Sequence, residues 1–327
     1  MENTLYPLKF KPIYKKVIWG GEKLRTDLNK SNAPESCGES WEISGVEKNI
    51  SVVSEGFLKG NPLDELIEVY MGDLVGDSVF EKYGTEFPVL IKFIHANDHL
   101  SVQVHPDDAF SEEYHGKRGK TEMWYVLDAE KEASLISGFS KDISEEVFKK
   151  HMSSGSLKEI LNFEKVEKGD VFFLPAKRVH AIGKGIMLAE IQQTSDVTYR
   201  IYDWDRLGDD GNPRELHLDL ALKVMDYKKP EDTRTPYKAI QNQTVNLADC
   251  PYFTTSLIEF DQAVDKDFSL IDSFVIYICT EGKLFINYKG GKPVQLEKGE
   301  SVLIPAELKE VSLLPSEKSK LLEVYMK

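Results

Sequence analysis

The chain has 327 residues, 41% of them hydrophobic, and its 55 acidic against 41 basic side chains give a net charge of −14. That length suits about two domains and a sizeable core. The acidic balance and the lack of a Lys/Arg cluster exclude the usual nucleic-acid and anionic-membrane partners, and no apolar run approaches the ~18 residues of a membrane span.

An anionic small substrate remains compatible with this charge, provided a local group of cations works against the global field. The N-terminus, MENTLYPLKFKPIY, lacks the charged-then-apolar pattern of a signal peptide. Cys37, Cys250 and Cys279 are scattered and odd in number, which argues against a disulfide framework and for a reducing cytoplasm.

In chain order, WEIS (41–44) reads as a strand. NPLDELIEVYMGDLVG (61–76) reads as a helix that opens on Asn61 and Pro62, a favourable cap-then-proline start. FPVLIKFIHA (87–96) is a strand, and LSVQVHPDD (100–108) is a second one that stops at Pro106. In that strand Gln103 and His105 share one face while Val102 and Val104 share the other. EMWYVLD (122–128) is a strand, DISEEVFKKHMSSGSLKEIL (142–161) a helix, and DVFFLPA (170–176) and IMLAEIQQ (186–193) are strands. NPRELHLDLALKVMDY (212–227) carries helical spacing, and FVIYICT (274–280), KLFINYK (283–289) and ESVLIPA (300–306) are strands. A mainly β chain with a few helical excursions predicts a sandwich or jelly-roll barrel.

An internal repeat divides the chain. VEKGDVFFLPAKRVH (166–180) matches LEKGESVLIPAELKE (296–310), and upstream TEMWYVLDAE (121–130) aligns loosely with SFVIYICTEG (273–282). In that alignment Glu122 stands opposite Phe274 and His180 opposite Glu310. The second copy keeps the strand pattern and loses the polar groups, so the first copy is expected to carry chemistry and the second to pack; drift at surface positions would leave the same trace.

Gln103, His105, Glu122 and His180 are the candidate metal ligands. Inward-facing positions on several strands of a small barrel converge, so residues this far apart can meet. The spacing matches the cupin metal site in general pattern, and two imidazoles, a carboxylate and an amide suit Zn²⁺, with Mn²⁺, Co²⁺ or Fe²⁺ also admissible. A solvated strand face would show the same Gln-x-His alternation. Binding needs neutral imidazoles and an ionised carboxylate, so metal affinity is expected to fall in acid. His95, His99, His115, His151 and His217 read as ordinary core or surface histidines, and Asp107 and Asp108 as acids that stabilise the turn after Pro106.

LPAKRVHAIGKGIMLAEIQQTSDVTYRIYDWDR (174–206) closely resembles the class I mannose-6-phosphate isomerases, or phosphomannose isomerases, in their short bacterial form. VIWGG (17–21), CGESWEIS (37–44), FPVLIKFIHANDHLSVQVHPDD (87–108) and GKTEMWYVLDA (119–129) fit the same family. The resemblance implies two cupin-like jelly-roll barrels with a few helical insertions: a catalytic domain over 1–235 and a degenerate second β domain over 236–327. It implies one zinc per chain and interconversion of mannose 6-phosphate and fructose 6-phosphate. Carried over position by position, His105, Glu122 and His180 are zinc ligands, joined by Gln103. Arg200, Lys120 and Asp196 match catalytic positions; Lys92, Ser101, Lys120 and Arg200 match the substrate-binding set. The family's small turn after Pro-Ala is replaced by Lys177 and Arg178, so the loop before His180 is expected to differ in shape or charge.

Aldose–ketose isomerisation moves a proton between C1 and C2 through an enediolate. A Lewis-acid metal or a neighbouring cation can stabilise that charge. Arg200 stays protonated and suits charge stabilisation or phosphate holding; Asp196, Lys120 and a metal-bound water are all candidate bases, unranked by sequence. A sugar-phosphate-binding cupin without turnover and an iron cupin dioxygenase are the alternatives; Gln103, Lys120 and Arg200 favour a polar phosphosugar pocket over oxygen chemistry. The expected partner is the sugar phosphate alone, on a monomer or weak homodimer.

Overall fold

The structure, a computed structural model, describes residues 5–208 and 210–327. Four antiparallel sheets build two β sandwiches. In the first, one sheet orders Ile13–Gly21, Cys37–Ile43, Val89–Ala96, Ile186–Gln193, Glu122–Ala129 and Val171–Leu174. It faces a sheet ordered Tyr199–Tyr202, Val102–Val104, His180–Ala181, Ser134–Phe139 and Leu161–Lys165. In the second, Gln243–Asp249, Thr254–Phe260, Ser319–Tyr325, Val275–Glu281 and Ser301–Ile304 face Val264–Asp267, Glu310–Pro315, Lys283–Tyr288 and Val294–Glu297. Among the described residues no helix is long and apolar enough to cross a membrane.

The second sandwich repeats the strand order of the first, which confirms the repeat and corrects its register by one residue. Glu122 pairs with Leu174, while Val275 pairs with Ile304, the counterpart of Leu174. Glu122 therefore corresponds to Val275 and not to Phe274; the loop between the paired strands differs in length, which an ungapped sequence match cannot show. The corrected register also sets Trp124 opposite Glu190 in one sandwich and Tyr277 opposite Glu323 in the other.

Two expected helices are shorter than their periodicity suggests. The 142–161 segment is a helix over Glu145–Ser153, then a 3-10 turn over Leu157–Glu159. Gly155, at φ 68°, breaks it in the left-handed region. Over 212–227 only Leu218–Val224 is helical. Ahead of it, His217 N donates to Arg200 O (2.8 Å) and Arg200 N donates to His217 Nδ1 (3.1 Å). The first bond takes a backbone N–H at the helix start, and the second is accepted by the imidazole side chain. The 61–76 helix runs over Leu63–Val75 with non-helical φ/ψ at Met71.

One apolar core joins the two sandwiches. Ile91, Phe93, Met123, Val171 and Met187 of the first pack with Leu257, Ile276, Ile278, Leu303, Leu322 and Val324 of the second. Strands Val89–Ala96 and Ile186–Gln193 are buried along their whole length, because one face meets this shared core and the other meets the barrel interior. Ile276→Ala is therefore expected to cost about 2–5 kcal/mol and to lower one common unfolding transition. Two separate transitions in calorimetry would contradict a shared core.

Candidate active site

His105, Glu122 and His180 converge inside the first barrel, with one ligand atom from each lying within 4.8 Å of the others. All three are buried. His105 Nδ1 faces Val197 O at 2.9 Å, and His180 Nδ1 faces Arg178 O at 2.8 Å. A carbonyl only accepts, so each Nδ1 carries the proton and each Nε2 presents a bare lone pair. The two Nε2 atoms lie 3.2 Å apart, and His105 Nε2 is 3.2 Å from Glu122 Oε1. Neither oxygen of Glu122 accepts a well-directed hydrogen bond.

Two imidazole lone pairs and an ionised carboxylate converge on one point, a donor set that fits a divalent metal, with the Lys120 ammonium beside Glu122 (2.8 Å) and His105 Nε2 (3.1 Å). Protonation agrees. Burial, then Lys120, pushes the His105 imidazole down to about 3, and burial also lowers His180. Burial alone would raise the Glu122 carboxyl, but Lys120 and His105 hold it well below the usual carboxylate range. The Gln103 amide lies beside the triad, 3.5 Å from His180 Nε2, because Gln103 pairs with His180 across adjacent strands.

The turn that orients His180 carries its cost openly. Lys177 adopts φ 75°, a left-handed conformation that favours glycine. Its N–H donates to His105 O at 2.7 Å, tying the two ligand loops together. Arg178 Nη1 donates to Phe173 O at 3.0 Å. With these contacts made by Lys177 and Arg178, His180 stays in the triad. Asp107 caps the helix Asp108–His115 through Phe110 N (3.0 Å). Asp108 accepts from Gly119 N and Gln193 Nε2, both at 2.8 Å, and so anchors the loop that delivers Lys120.

A cavity of about 300 Å³ opens beside the triad and is lined by Lys92, Ser101, Gln103, Lys120, Asp196 and Arg200. The structure thus brings together the six sequence candidates outside the triad. Their surroundings differ. Lys120 Nζ sits 2.8 Å from Glu122 Oε1 and 3.1 Å from His105 Nε2. Lys92 is buried between Glu190 (2.8 Å) and Glu39 (3.7 Å); burial would lower its pKa, but these carboxylates outweigh it and hold it above its ordinary value. Asp196 is exposed at the rim and paired with Lys117 at 2.6 Å. Arg200 donates through Nη1 to Glu215 O (2.7 Å), and its buried Nε has no partner.

Sequence reasoning missed Glu39, Glu190 and Arg214, which line the same cavity. Glu190 accepts from Trp124 Nε1 at 2.8 Å; burial, reinforced by the charge of Glu122, raises its pKa. Its only sequence signal is a lone acid inside IMLAEIQQ. None of the remaining histidines joins the triad: His99 lies against the Trp204 ring, His115 on Tyr199 OH, His151 on Ser156, His95 in the core, and His217 accepts from Arg200 N at 3.1 Å.

A family model described as phosphomannose isomerase type I, catalytic domain, matches residues 7–139, and one described as mannose-6-phosphate isomerase, cupin domain, matches residues 243–318. The chain is 36% identical over 304 residues to a mannose-6-phosphate isomerase of Streptococcus mutans, covering 93% of both chains. It is 36% identical over 320 residues to the mannose-6-phosphate isomerase ManA of Bacillus subtilis, covering 95% of this chain and 96% of that one. The crystal structure of the mannose 6-phosphate isomerase from Bacillus subtilis superposes with a TM-score of 0.85 at 31% identity, over 98% of this chain and 99% of that chain.

Proposed function

Because the chain belongs to the type I phosphomannose isomerases, we propose that this cavity interconverts mannose 6-phosphate and fructose 6-phosphate, with a Zn²⁺ held by His105, Glu122 and His180 and flanked by Gln103. The observation that carries the reading is the pair of bare imidazole nitrogens facing a buried carboxylate at the edge of a cation-lined cavity. Zinc suits a site of two imidazoles and a carboxylate, and when bound it supplies Lewis acidity towards the sugar oxygens at C1 and C2.

The chain's own residues do the rest. Lys120, beside the triad, places a buried positive charge where the enediolate oxygens develop negative charge. Lys92, already neutralised by Glu190 and Glu39, orients sugar hydroxyls as a donor and does not compete for the phosphate. Ser101 adds a hydroxyl to the same wall. Asp196 is the carboxylate available at the rim for proton exchange with the substrate. Arg200, with no carboxylate partner among the described residues, is the cation left free to meet an anion. Trp19 and Trp41 line the apolar side of the cavity, against the faces of the sugar.

Arg200→Ala is expected to lower kcat/KM for mannose 6-phosphate by roughly 10²-fold while the zinc content stays at that of the wild type, since lost charged hydrogen bonds are worth ~1.5–3 kcal/mol each. Zinc loss in that variant, read by elemental analysis, would make Arg200 a structural residue and count against the proposed role.

A further inference from the structure

The charges around the cavity are unevenly distributed. Near the triad, Glu39, Glu122 and Glu190 stand against Lys92 and Lys120, three formal negative charges to two positive. That end, net negative by itself, suits a divalent cation. Elsewhere on the wall stand two arginines, Arg200 and Arg214. Asp203, buried, accepts from Arg206 Nε (3.1 Å) and Nη2 (2.8 Å) and from Arg214 Nε (2.7 Å) and Nη2 (2.6 Å). One carboxylate is thus shared by two guanidinium groups; Asp98 lies 3.6 Å from Arg206 Nη1, and the Glu215 carboxylate neighbours Arg200. The Arg214 fork on Asp203 fixes its plane and leaves Nη1 uncommitted on a residue that lines the cavity. Arg200, also lining it, keeps its buried Nε unpartnered.

We propose that Arg214, oriented by its bidentate pair with Asp203, joins Arg200 to form the phosphate-recognising end of the cavity and is the residue that separates a phosphosugar from the free sugar. The inference rests on the isomerase reading above and adds to it a residue that no barrel strand supplies. Two guanidinium groups with free N–H edges match the tetrahedral oxygens of a phosphate monoester better than the lysines, which are already paired. Asp203 is a positioning residue: it does not line the cavity, and it acts by holding Arg214.

The test is steady-state kinetics on the metal-loaded enzyme with mannose 6-phosphate, combined with competition by inorganic phosphate. Arg214→Gln is expected to raise KM and the phosphate inhibition constant together, by roughly 10- to 100-fold, with kcat changed far less and metal content unchanged. Asp203→Asn should move the same two constants in the same direction, and Arg214→Lys should recover part of the loss, which a purely structural role would not produce. Unchanged KM and unchanged phosphate inhibition in Arg214→Gln would overturn the proposal. If that variant does not fold, the comparison is made with Asp203→Asn, whose wild-type constants would equally overturn it. A wild-type enzyme without turnover defeats the isomerase reading instead; calorimetric titration of wild type and Arg214→Gln with inorganic phosphate then still decides whether Arg214 binds the anion.

Discussion

Glu122→Gln is expected to abolish both metal binding and turnover while leaving the barrel folded. The substitution keeps shape and burial but removes the only charge among the three ligating groups. Its two neighbours are neutral imidazoles with their Nδ1 protons pinned by backbone carbonyls, so nothing else in the triad offsets a divalent charge. Metal content after dialysis, activity and circular dichroism together test this. Stoichiometric metal and wild-type rate in the variant would remove the triad from the mechanism. The same protonation states predict how affinity follows pH. An imidazole of ordinary pKa, near 6.5, competes for protons with the metal by about tenfold at pH 5.5, and two such ligands by about 100-fold. His105 is pushed down to about 3 and His180 is also lowered, so proton competition at these sites starts only in stronger acid. Metal affinity of the stripped protein is expected to fall by far less than that hundredfold between pH 7.5 and 5.5; the full hundredfold fall would contradict the assignment.

Lys120→Ala is the second large effect, a loss of about 10²–10³ in kcat with the metal retained. Lys120 is buried, and its ammonium touches Glu122 and lines the cavity. A charge held in so dry a place needs no reorganisation when substrate oxygens become negative. Lys120→Arg should not rescue, because a planar fork cannot occupy the position of a compact ammonium between Glu122 and His105. Single-turnover rates and elemental analysis distinguish the outcomes. Loss of metal along with rate would show that Lys120 serves mainly to hold Glu122 ionised.

What could be read in the sequence follows strand periodicity. Gln103 and His105 were legible because they alternate with valines in a strand whose two faces differ, and Glu122 and His180 because the second repeat lacks them. Glu190 was hidden for the opposite reason: Ile186–Gln193 is buried on both faces, so alternation vanishes and an acid in it carries no directional signal. Arg214 fell inside a stretch with helical spacing, yet helix forms only over Leu218–Val224, and His217 ahead of it is tied to Arg200 by its N–H and its imidazole. Tertiary pairing overrode local propensity there. The one-residue slip in the repeat has a similar origin, since only strand partners define register. A buried carboxylate with an aromatic donor survives in the second barrel, where Tyr277 OH donates to Glu323 Oε2 at 2.7 Å as Trp124 does to Glu190. There Lys266, at 2.7 Å, closes the charge, and the rest of the interior is filled by residues such as Phe260, Phe268 and Leu296.

The most direct test of the account is a coupled assay of the purified protein with mannose 6-phosphate, run before and after chelation and again after zinc is restored. Fructose 6-phosphate formation is expected to disappear with the metal and to return with zinc. Full activity in protein shown by elemental analysis to be metal-free would contradict it.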